Sequence, residues 1–284
     1  MQDTKAHQVL SLSSVDENQS ETDKKLCIEI GANFYSYCIS DQSGRAIFDF
    51  ASFESSIPVD ATLVKELLNH PKIKQTSFVD VVLVHNRREL AMVPSAFHQP
   101  EINSTVLQSI HGDIEDWKVL EDDVHQWELY TVYGWNPEII DCVAERFPQV
   151  RFVQFTTGAL RSLFKSLAIE KEQVIKLYFY QKEMIAVVLK ESQLQLAQSF
   201  HFETPQDVMY HLLNVVERLK LDLATVILEV SGLIDVHSET WSELNKFFVE
   251  VQLDEPSNFP SKRNDADVLP AHYYTPFLIS PRCV

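Results

Sequence analysis

The same order of strands and helices occurs twice in this sequence, and this repetition limits the fold more than any other feature. In each half, three consecutive strand-like segments precede a helix and then an apolar run, VDVVLV (79–84) in the first half and TVILEV (225–230) in the second. Continuous apolar runs of this length are typical of strands buried on both faces of a sheet. Asp60 and Thr204 stand where the two helices begin, and both residue types favour the N-cap position.

Both halves continue with a further helix and a short strand, RFVQF and VEVQL, so that each follows the order β-β-β-α-β-α-β. When Ile30 is aligned with Tyr180, residues 34–39 fall on residues 184–189 without a gap. A chance match of so many elements in one order is improbable. The sequence therefore predicts an α/β protein made by internal duplication, with two lobes of mixed sheet flanked by helices.

The predicted organisation has three parts. Residues 1–25 are polar, rich in Ser, Glu and Asp, and lack apolar periodicity, which predicts a flexible polar arm. The first lobe is predicted at 26–172, with an insertion at about 85–134 that has its own strands near 90–93 and 128–132, and the second lobe is predicted at 173–284.

Charge and composition exclude several classes of function. The chain carries 24 Lys and Arg against 41 Asp and Glu, a net charge of −17, which argues against nucleic acid and anionic membranes as partners. The four cysteines stand far apart without a C-x-x-C pair, so neither a disulfide framework nor a metal site is expected. The sequence has no signal-peptide h-region and no apolar run long enough to span a membrane, so we expect a cytoplasmic protein.

Three antiparallel strands followed by alternating helices and strands, present twice, resemble the ribonuclease-H-like plan of the actin-like ATPases. Within that superfamily the sequence resembles an uncharacterised bacterial family known as domain of unknown function 3822. The resemblance covers most of residues 26–284 and implies a fold without an activity, because no activity is assigned to that family. It depends on LAMVP at 90–94, Asp207-x-x-Tyr210-x-Leu212-Leu213, Gly232-Leu233-Ile234 and the terminal Cys283.

The resemblance also implies where a nucleotide would bind. The superfamily holds ATP between its lobes, with a glycine-containing hairpin turn from each lobe around the phosphates and an aspartate on each first strand for the metal ion. Here Glu29 and Gly31 resemble the Asp-x-Gly opening, but the acid is longer and the Ser/Thr/Gly run is missing. The turn of the second lobe has neither glycine nor aspartate, and the adenosine-side loop has one glycine. The resulting vestigial cleft comprises Glu29, Gly31, Asn33, Gln181, Lys182 and Gly232.

Two functions remain open. The favoured one is a non-catalytic actin-like pseudoenzyme that serves as a scaffold for an unknown protein partner, with no catalytic residue, metal ligand or cofactor. The alternative is a member of the superfamily that binds or hydrolyses ATP with Mg²⁺ through an unusual phosphate loop. The turn Gln181-Lys182-Glu183 favours the scaffold.

Six acidic residues lie close together at 113–123, with Trp117 and Trp127 beside them. The simplest interpretation is a solvated, protruding loop whose tryptophans pack into the insertion. A docking surface is the alternative, because tryptophans flanked by charge often anchor interfaces. Either interpretation predicts that the carboxylates contribute little to folding.

Overall fold

The computed structural model describes residues 6–13, 23–112, 114, 116–166, 172–256, 259 and 269–283. The chain divides into two compact units. Unit 1 contains Met1–Phe164, Pro260–Val268 and Phe277–Val284, and unit 2 contains Lys165–Phe259 and Leu269–Pro276. None of the described helices combines the length and the apolar character that a membrane span requires.

Unit 1 is built on a six-stranded sheet with the order β1-β4-β3-β2-β5-β9. The pairs β1/β4, β4/β3 and β3/β2 are antiparallel, whereas β2/β5 and β5/β9 are parallel. The strands of this sheet are β1 (Ala6–Ser13), β2 (Lys25–Gly31), β3 (Phe34–Ser40), β4 (Ile47–Ser55), β5 (Asp80–Asn86) and, later in the chain, β9 (Arg151–Gln154). The helices outside the insertion are α1 (Ala61–Leu68), α2 (Pro71–Lys74), α4 (Pro137–Arg146), α5 (Phe155–Ser166) and the C-terminal α8 (Thr275–Cys283).

The core of unit 1 forms because every residue of β2 and β3 is buried and the apolar faces of α1 and α4 cover the sheet. Helix α1 begins where the sequence predicts, because the Asp60 carboxylate accepts a hydrogen bond from the Leu63 N–H at 3.0 Å. The α/β class is confirmed by these mixed layers.

Two boundaries differ from the predicted ones. Residues 6–13 form strand β1 instead of a flexible arm, because Leu10 and Leu12 are 2% and 4% exposed against the sheet. Residues 1–5 and 14–22 of the predicted arm lie outside the described part of the chain. At the other end, Phe277–Val284 belongs to unit 1 and not to the predicted second lobe. The reason is packing, since the ring of Phe277 contacts Phe50 at a centroid distance of 5.3 Å.

The insertion contains a separate antiparallel sheet with the order β6-β8-β7. Its elements are β6 (Leu90–Pro94), α3 (Asn103–His111), β7 (Lys118–Val124) and β8 (Leu129–Trp135). The strands predicted near 90–93 and 128–132 are confirmed as β6 and β8.

The acidic segment of the insertion is not a loop. Glu121, Asp122 and Asp123 lie within β7 and pair with β8, so the prediction of a solvated loop is wrong over these residues. The carboxylate of Asp122 accepts hydrogen bonds from the Gln154 N–H (2.8 Å), the Thr157 hydroxyl (2.8 Å) and the Tyr133 hydroxyl (3.1 Å). This carboxylate is structural, whereas Glu121 and Asp123 on either side of it are exposed. Asp113 and Glu115 are outside the described residues.

Unit 2 contains a five-stranded sheet with the order β12-β11-β10-β13-β14, and its first two pairs are antiparallel while its last two are parallel. This is the same arrangement as β4-β3-β2-β5-β9 in unit 1, and β5 and β13 hold the same sheet position. The strands are β10 (Gln173–Phe179), β11 (Glu183–Lys190), β12 (Gln193–His201), β13 (Ile227–Gly232) and β14 (Glu250–Leu253). The helices are α6 (Pro205–Leu219) and α7 (Glu239–Phe247).

The alignment between the halves differs by one residue from the sequence-based one. Ile30 pairs with Tyr35 across its hairpin, and Phe179 pairs with Met184 across the other, so Ile30 corresponds to Phe179 and not to Tyr180. Strands buried on both faces lack the apolar–polar alternation that would fix their register in the sequence.

Candidate functional site

The carboxyl ends of the parallel strands β2 and β5 bring three polar side chains of unit 1 together. In open α/β sheets, ligands bind at this end of the strands. Glu29 is 2% exposed, and its Oε1 accepts a hydrogen bond from the Asn86 side-chain amide at 2.6 Å. A buried carboxylate is costly unless it is hydrogen-bonded, so Asn86 stabilises Glu29 in this position.

Arg87 fastens the turn that follows β2. Its Nε donates to the Gly31 carbonyl at 3.2 Å, and its Nη2 donates to the Val59 carbonyl at 2.8 Å. Burial lowers the pKa of the Arg87 guanidinium. Two backbone carbonyls from separate segments therefore accept hydrogen bonds from this cation, which ties the turn to the segment that precedes α1.

Two further carbonyls of the turn also accept hydrogen bonds. The Ala32 carbonyl accepts from the Val59 N–H at 2.8 Å, and the Asn33 carbonyl accepts from the Ser55 N–H at 2.8 Å. The Asn33 side-chain amide points the same way, with Nδ2 3.5 Å from the Ser55 carbonyl. Glu29 and Gly31, at the end of β2, and Asn33, in the turn that follows, thus lie close together in the chain.

The ring of Phe34 occupies the space next to Gly31. A Cβ atom on Gly31 would lie 2.0 Å from Cε1 of Phe34, and the same ring makes an edge contact with Phe277 at a centroid distance of 6.3 Å. A phosphate-binding turn needs glycine so that the ligand can approach the backbone closely. Here the ring of Phe34 lies against the backbone of Gly31 in place of a ligand, so the turn does not fit a phosphate group.

The corresponding turn of unit 2 does not fit one either. Tyr180 stands at the position of Gly31 and is 2% exposed, and its N–H donates to the Glu183 carbonyl at 2.8 Å to close the hairpin. Gln181 and Lys182 are exposed at the tip. The Lys182 ammonium is 2.9 Å from the Glu203 carboxylate, and hydrogen bonds from Lys182 and His201 lower the pKa of Glu203.

Gly232 is required by the backbone of unit 2. Its φ is +91°, and a Cβ atom there would lie 2.1 Å from the Phe179 carbonyl oxygen. The Leu233 N–H donates to that same oxygen at 2.8 Å. Only glycine allows β13 to approach β10 this closely, so this glycine has a structural explanation without a ligand.

The six predicted residues divide equally between the units, with Glu29, Gly31 and Asn33 in unit 1 and the other three in unit 2. Asn86 and Arg87 were not among the predicted residues, although polar residues at the end of a buried parallel strand are a recognisable signal. Within the described part of the chain, His, Cys, Asp and Glu side chains form no group of three or more that could hold a metal ion.

Solved structures with this fold have little sequence identity to the chain. A Bacteroides thetaiotaomicron protein of unknown function with an actin-like ATPase fold is 18% identical, with a TM-score of 0.71 over 84% of this chain and 93% of that one. A chain of a PilM–PilN type IV pilus biogenesis complex is 11% identical, with a TM-score of 0.55 over 91% and 98%. The ethanolamine utilization protein EutJ from Carboxydothermus hydrogenoformans is 11% identical, with a TM-score of 0.51 over 92% and 90%.

These structural matches confirm the predicted actin-like, ribonuclease-H-like fold. No curated protein matches the sequence significantly. The model of the family described as "Protein of unknown function (DUF3822)" matches residues 14–251, which is most of the chain and confirms the predicted resemblance. The protein therefore belongs to the DUF3822 family and has the actin-like ATPase fold.

Proposed function

We propose that this protein is a non-catalytic actin-like protein that acts as a scaffold for another protein, with a degenerate nucleotide site. The observation that carries the proposal is the ring of Phe34 against Gly31, which stands where a phosphate would approach the turn. Gly31 is the one glycine of the two hairpin turns. The ring of Phe34 therefore fills the space beside the residue that most resembles part of a phosphate-binding turn.

Unit 2 supports the same conclusion. Tyr180 replaces the glycine, and its N–H is already used by the Glu183 carbonyl. A charge-assisted N–H bond to phosphate is worth about 1.5–3 kcal/mol. Loss of two such bonds would weaken a site of about 1 μM affinity to roughly millimolar affinity.

The scaffold role is compatible with what the fold does elsewhere. A chain with this fold is part of a PilM–PilN type IV pilus biogenesis complex. At 11% identity this similarity concerns the fold alone, and the partner of the present protein is a separate question. Five strands have the same order in the sheets of the two units, which supports the internal duplication. We expect the protein to act in the bacterial cytoplasm.

One observation favours the alternative, an ATP-binding protein with an unusual phosphate loop. Glu29 remains a buried acid at the carboxyl end of β2, hydrogen-bonded to Asn86 at 2.6 Å. A carboxylate in this position could serve a metal ion if a nucleotide entered.

Calorimetric titration with Mg-ATP, together with a phosphate-release assay, tests the two functions. Glu29→Gln is the informative variant, because it keeps the oxygen that accepts from Asn86 and removes the charge. Glu101→Gln, an exposed residue of the insertion, is the matched control. We expect no binding tighter than roughly millimolar for all three proteins. Micromolar binding or turnover that disappears only in the Glu29 variant would overturn the proposal.

The scaffold role itself is tested by purification of the protein from its native host, followed by reconstitution with each purified candidate. We expect a stoichiometric complex to form without nucleotide. A complex that forms only when Mg-ATP is present would favour the alternative function.

A further inference from the structure

Strand β12 is an edge strand that has few of the features by which proteins normally protect an edge, although a bulge between Leu194 and Leu196 interrupts its pairing with β11. It is nine residues long, and its sequence QLQLAQSFH contains no Lys, Arg, Asp, Glu or Pro. Within the described part of the chain no further strand pairs with its outer side. Natural edge strands are usually short, charged, interrupted by proline or covered. At the opposite edge of the same sheet, β14 has four residues and begins with Glu250.

Unit 1 shows which kind of strand pairs at the corresponding edge. Strand β4 holds the same sheet position as β12, and there the N-terminal strand β1 pairs with it in antiparallel orientation. Strand β1 contributes Leu10 and Leu12, two residues apart, which are 2% and 4% exposed. An extended segment with apolar residues at alternate positions is therefore the natural occupant of this sheet position.

Apolar and aromatic side chains of β12 and of helix α6 could pack against the side chains of an added strand. Leu196 and Phe200 are partly buried against the core of unit 2. The ring of His211, on α6, lies against Phe200 at a centroid distance of 4.8 Å. Tyr210, beside it on the same helix, is 67% exposed. Apolar side chains of an added strand would lie against this partly exposed apolar surface and would be removed from water.

Charge selects the kind of partner. Unit 2 contains eight Lys and Arg against fifteen Asp and Glu, a net charge of −7 around an edge that has no charged residue. Glu203 and Glu183 stand at one end of β12, near His201, and Glu191 stands in the turn at the other end. Lys182, the cation at the first end, is already paired with Glu203. A second copy of this chain, itself at −17, would be repelled, whereas basic residues would be attracted.

We propose that the outer edge of β12 binds an extended segment of a different protein by strand addition, a segment with apolar residues at alternate positions and basic residues at its ends. Main-chain hydrogen bonds to the outer edge of β12 would supply affinity, and the apolar surface formed by Leu196, Phe200 and His211 would supply selectivity. The inference rests on the proposed scaffold function and identifies the chemistry of its partner.

The probe is a fluorescein-labelled peptide that carries the sequence of residues 6–13 with two lysines added at each end. This sequence has the alternation that pairs with β4, and the lysines match the acidic ends of β12. A second peptide has the same side chains but N-methyl groups on alternate amides, which removes the strand hydrogen bonds. The protein variants are Gln195→Lys with Gln198→Lys on β12, and Gln99→Lys with Gln108→Lys as a charge-matched control on exposed positions of unit 1.

We expect saturable binding of the first peptide, measured by fluorescence anisotropy, to the native protein and to the Gln99/Gln108 control. Binding should weaken about tenfold or more for the Gln195/Gln198 variant and for the N-methylated peptide. Equal binding to both variants, or no saturable binding at all, would overturn the inference. Sedimentation that shows a dimer dissolved by the Gln195/Gln198 changes would overturn it in favour of a second copy. Mg-ATP binding would contradict the scaffold function while leaving the peptide result intact, so the two failures are distinguishable.

Discussion

The replacement of Asp122 by alanine should destabilise unit 1 substantially, although Asp122 belongs to an acidic segment that the sequence suggests is exposed. Its carboxylate accepts hydrogen bonds from the Gln154 N–H, the Thr157 hydroxyl and the Tyr133 hydroxyl. The Thr157 hydroxyl has another partner, the Thr131 hydroxyl at 2.5 Å. The donors of Gln154 and Tyr133 would lose this acceptor inside the protein, since both residues are almost fully buried.

The magnitude follows from these two donors. A buried donor that loses its acceptor costs about 1–3 kcal/mol. Burial raises the pKa of Asp122, against the opposing effect of its hydrogen bonds, so removal of the carboxylate also relieves some desolvation. We therefore expect Asp122→Ala to lower the free energy of unfolding by about 2–4 kcal/mol.

Urea denaturation followed by tryptophan fluorescence measures this loss. Trp117, Trp127 and Trp135 belong to unit 1, so in a Trp241→Phe background the signal comes from unit 1 alone. Asp123→Ala is the matched control, because this neighbour is exposed and its carbonyl, not its side chain, accepts from Arg161. The control should stay within about 0.5 kcal/mol of the native protein. If Asp122→Ala also stays within that range, the structural role of Asp122 is refuted.

Three further changes should have defined outcomes. Gly232→Ala should lower the free energy of unfolding by about 3 kcal/mol or more, measured by urea denaturation with Trp241 fluorescence, because the new methyl group clashes with its neighbours and φ is positive. Gly112→Ala also has a positive φ but open space around it, so it should cost only about 1–2 kcal/mol. Thr204→Ala removes the N-cap of α6 and should cost about 1 kcal/mol by the same measurement; a loss below about 0.3 kcal/mol would contradict it. The free energy of unfolding of Asp122→Asn, relative to that of the native protein, should rise as pH increases above about 4, because the raised pKa of Asp122 means that the native protein loses stability as this carboxyl ionises; a difference that is constant or falls with pH would refute this.

The parts of the fold that the sequence predicts depend on local signals. Thr204, Pro205 and Asp207 predict the start of α6, and the capping box is present, with the Thr204 hydroxyl accepting from the Asp207 N–H and the Asp207 carboxylate accepting from the Thr204 N–H. The apolar runs at 79–84 and 225–230 likewise predict two central strands, because a continuous run of that kind needs cover on both faces.

The failures concern contacts between distant residues. Asp122 is held through partners 32 and 35 residues away in the chain, and no pattern near it in the sequence points to them. Strand β1 was missed because its alternation is short and stands among polar residues. The one-residue error in the alignment arose where both faces are buried and the pattern carries no register.

At the candidate site, the sequence does not show whether a glycine makes room for a ligand or for a packed neighbour. Gly31 and Gly232 both suggested a nucleotide, yet one lies against the ring of Phe34 and the other against the carbonyl of Phe179, and either contact is enough to exclude a side chain. A glycine in a ligand-binding turn and a glycine under a packed neighbour have the same sequence signal, because both result from close approach. Glu29 differs from them, since Tyr178, also buried, stands at its position in unit 2 and shows that the fold does not require an acid there. A buried acid at that position therefore occurs in unit 1 and not in unit 2. For this reason Glu29 is the residue at which nucleotide binding must be tested.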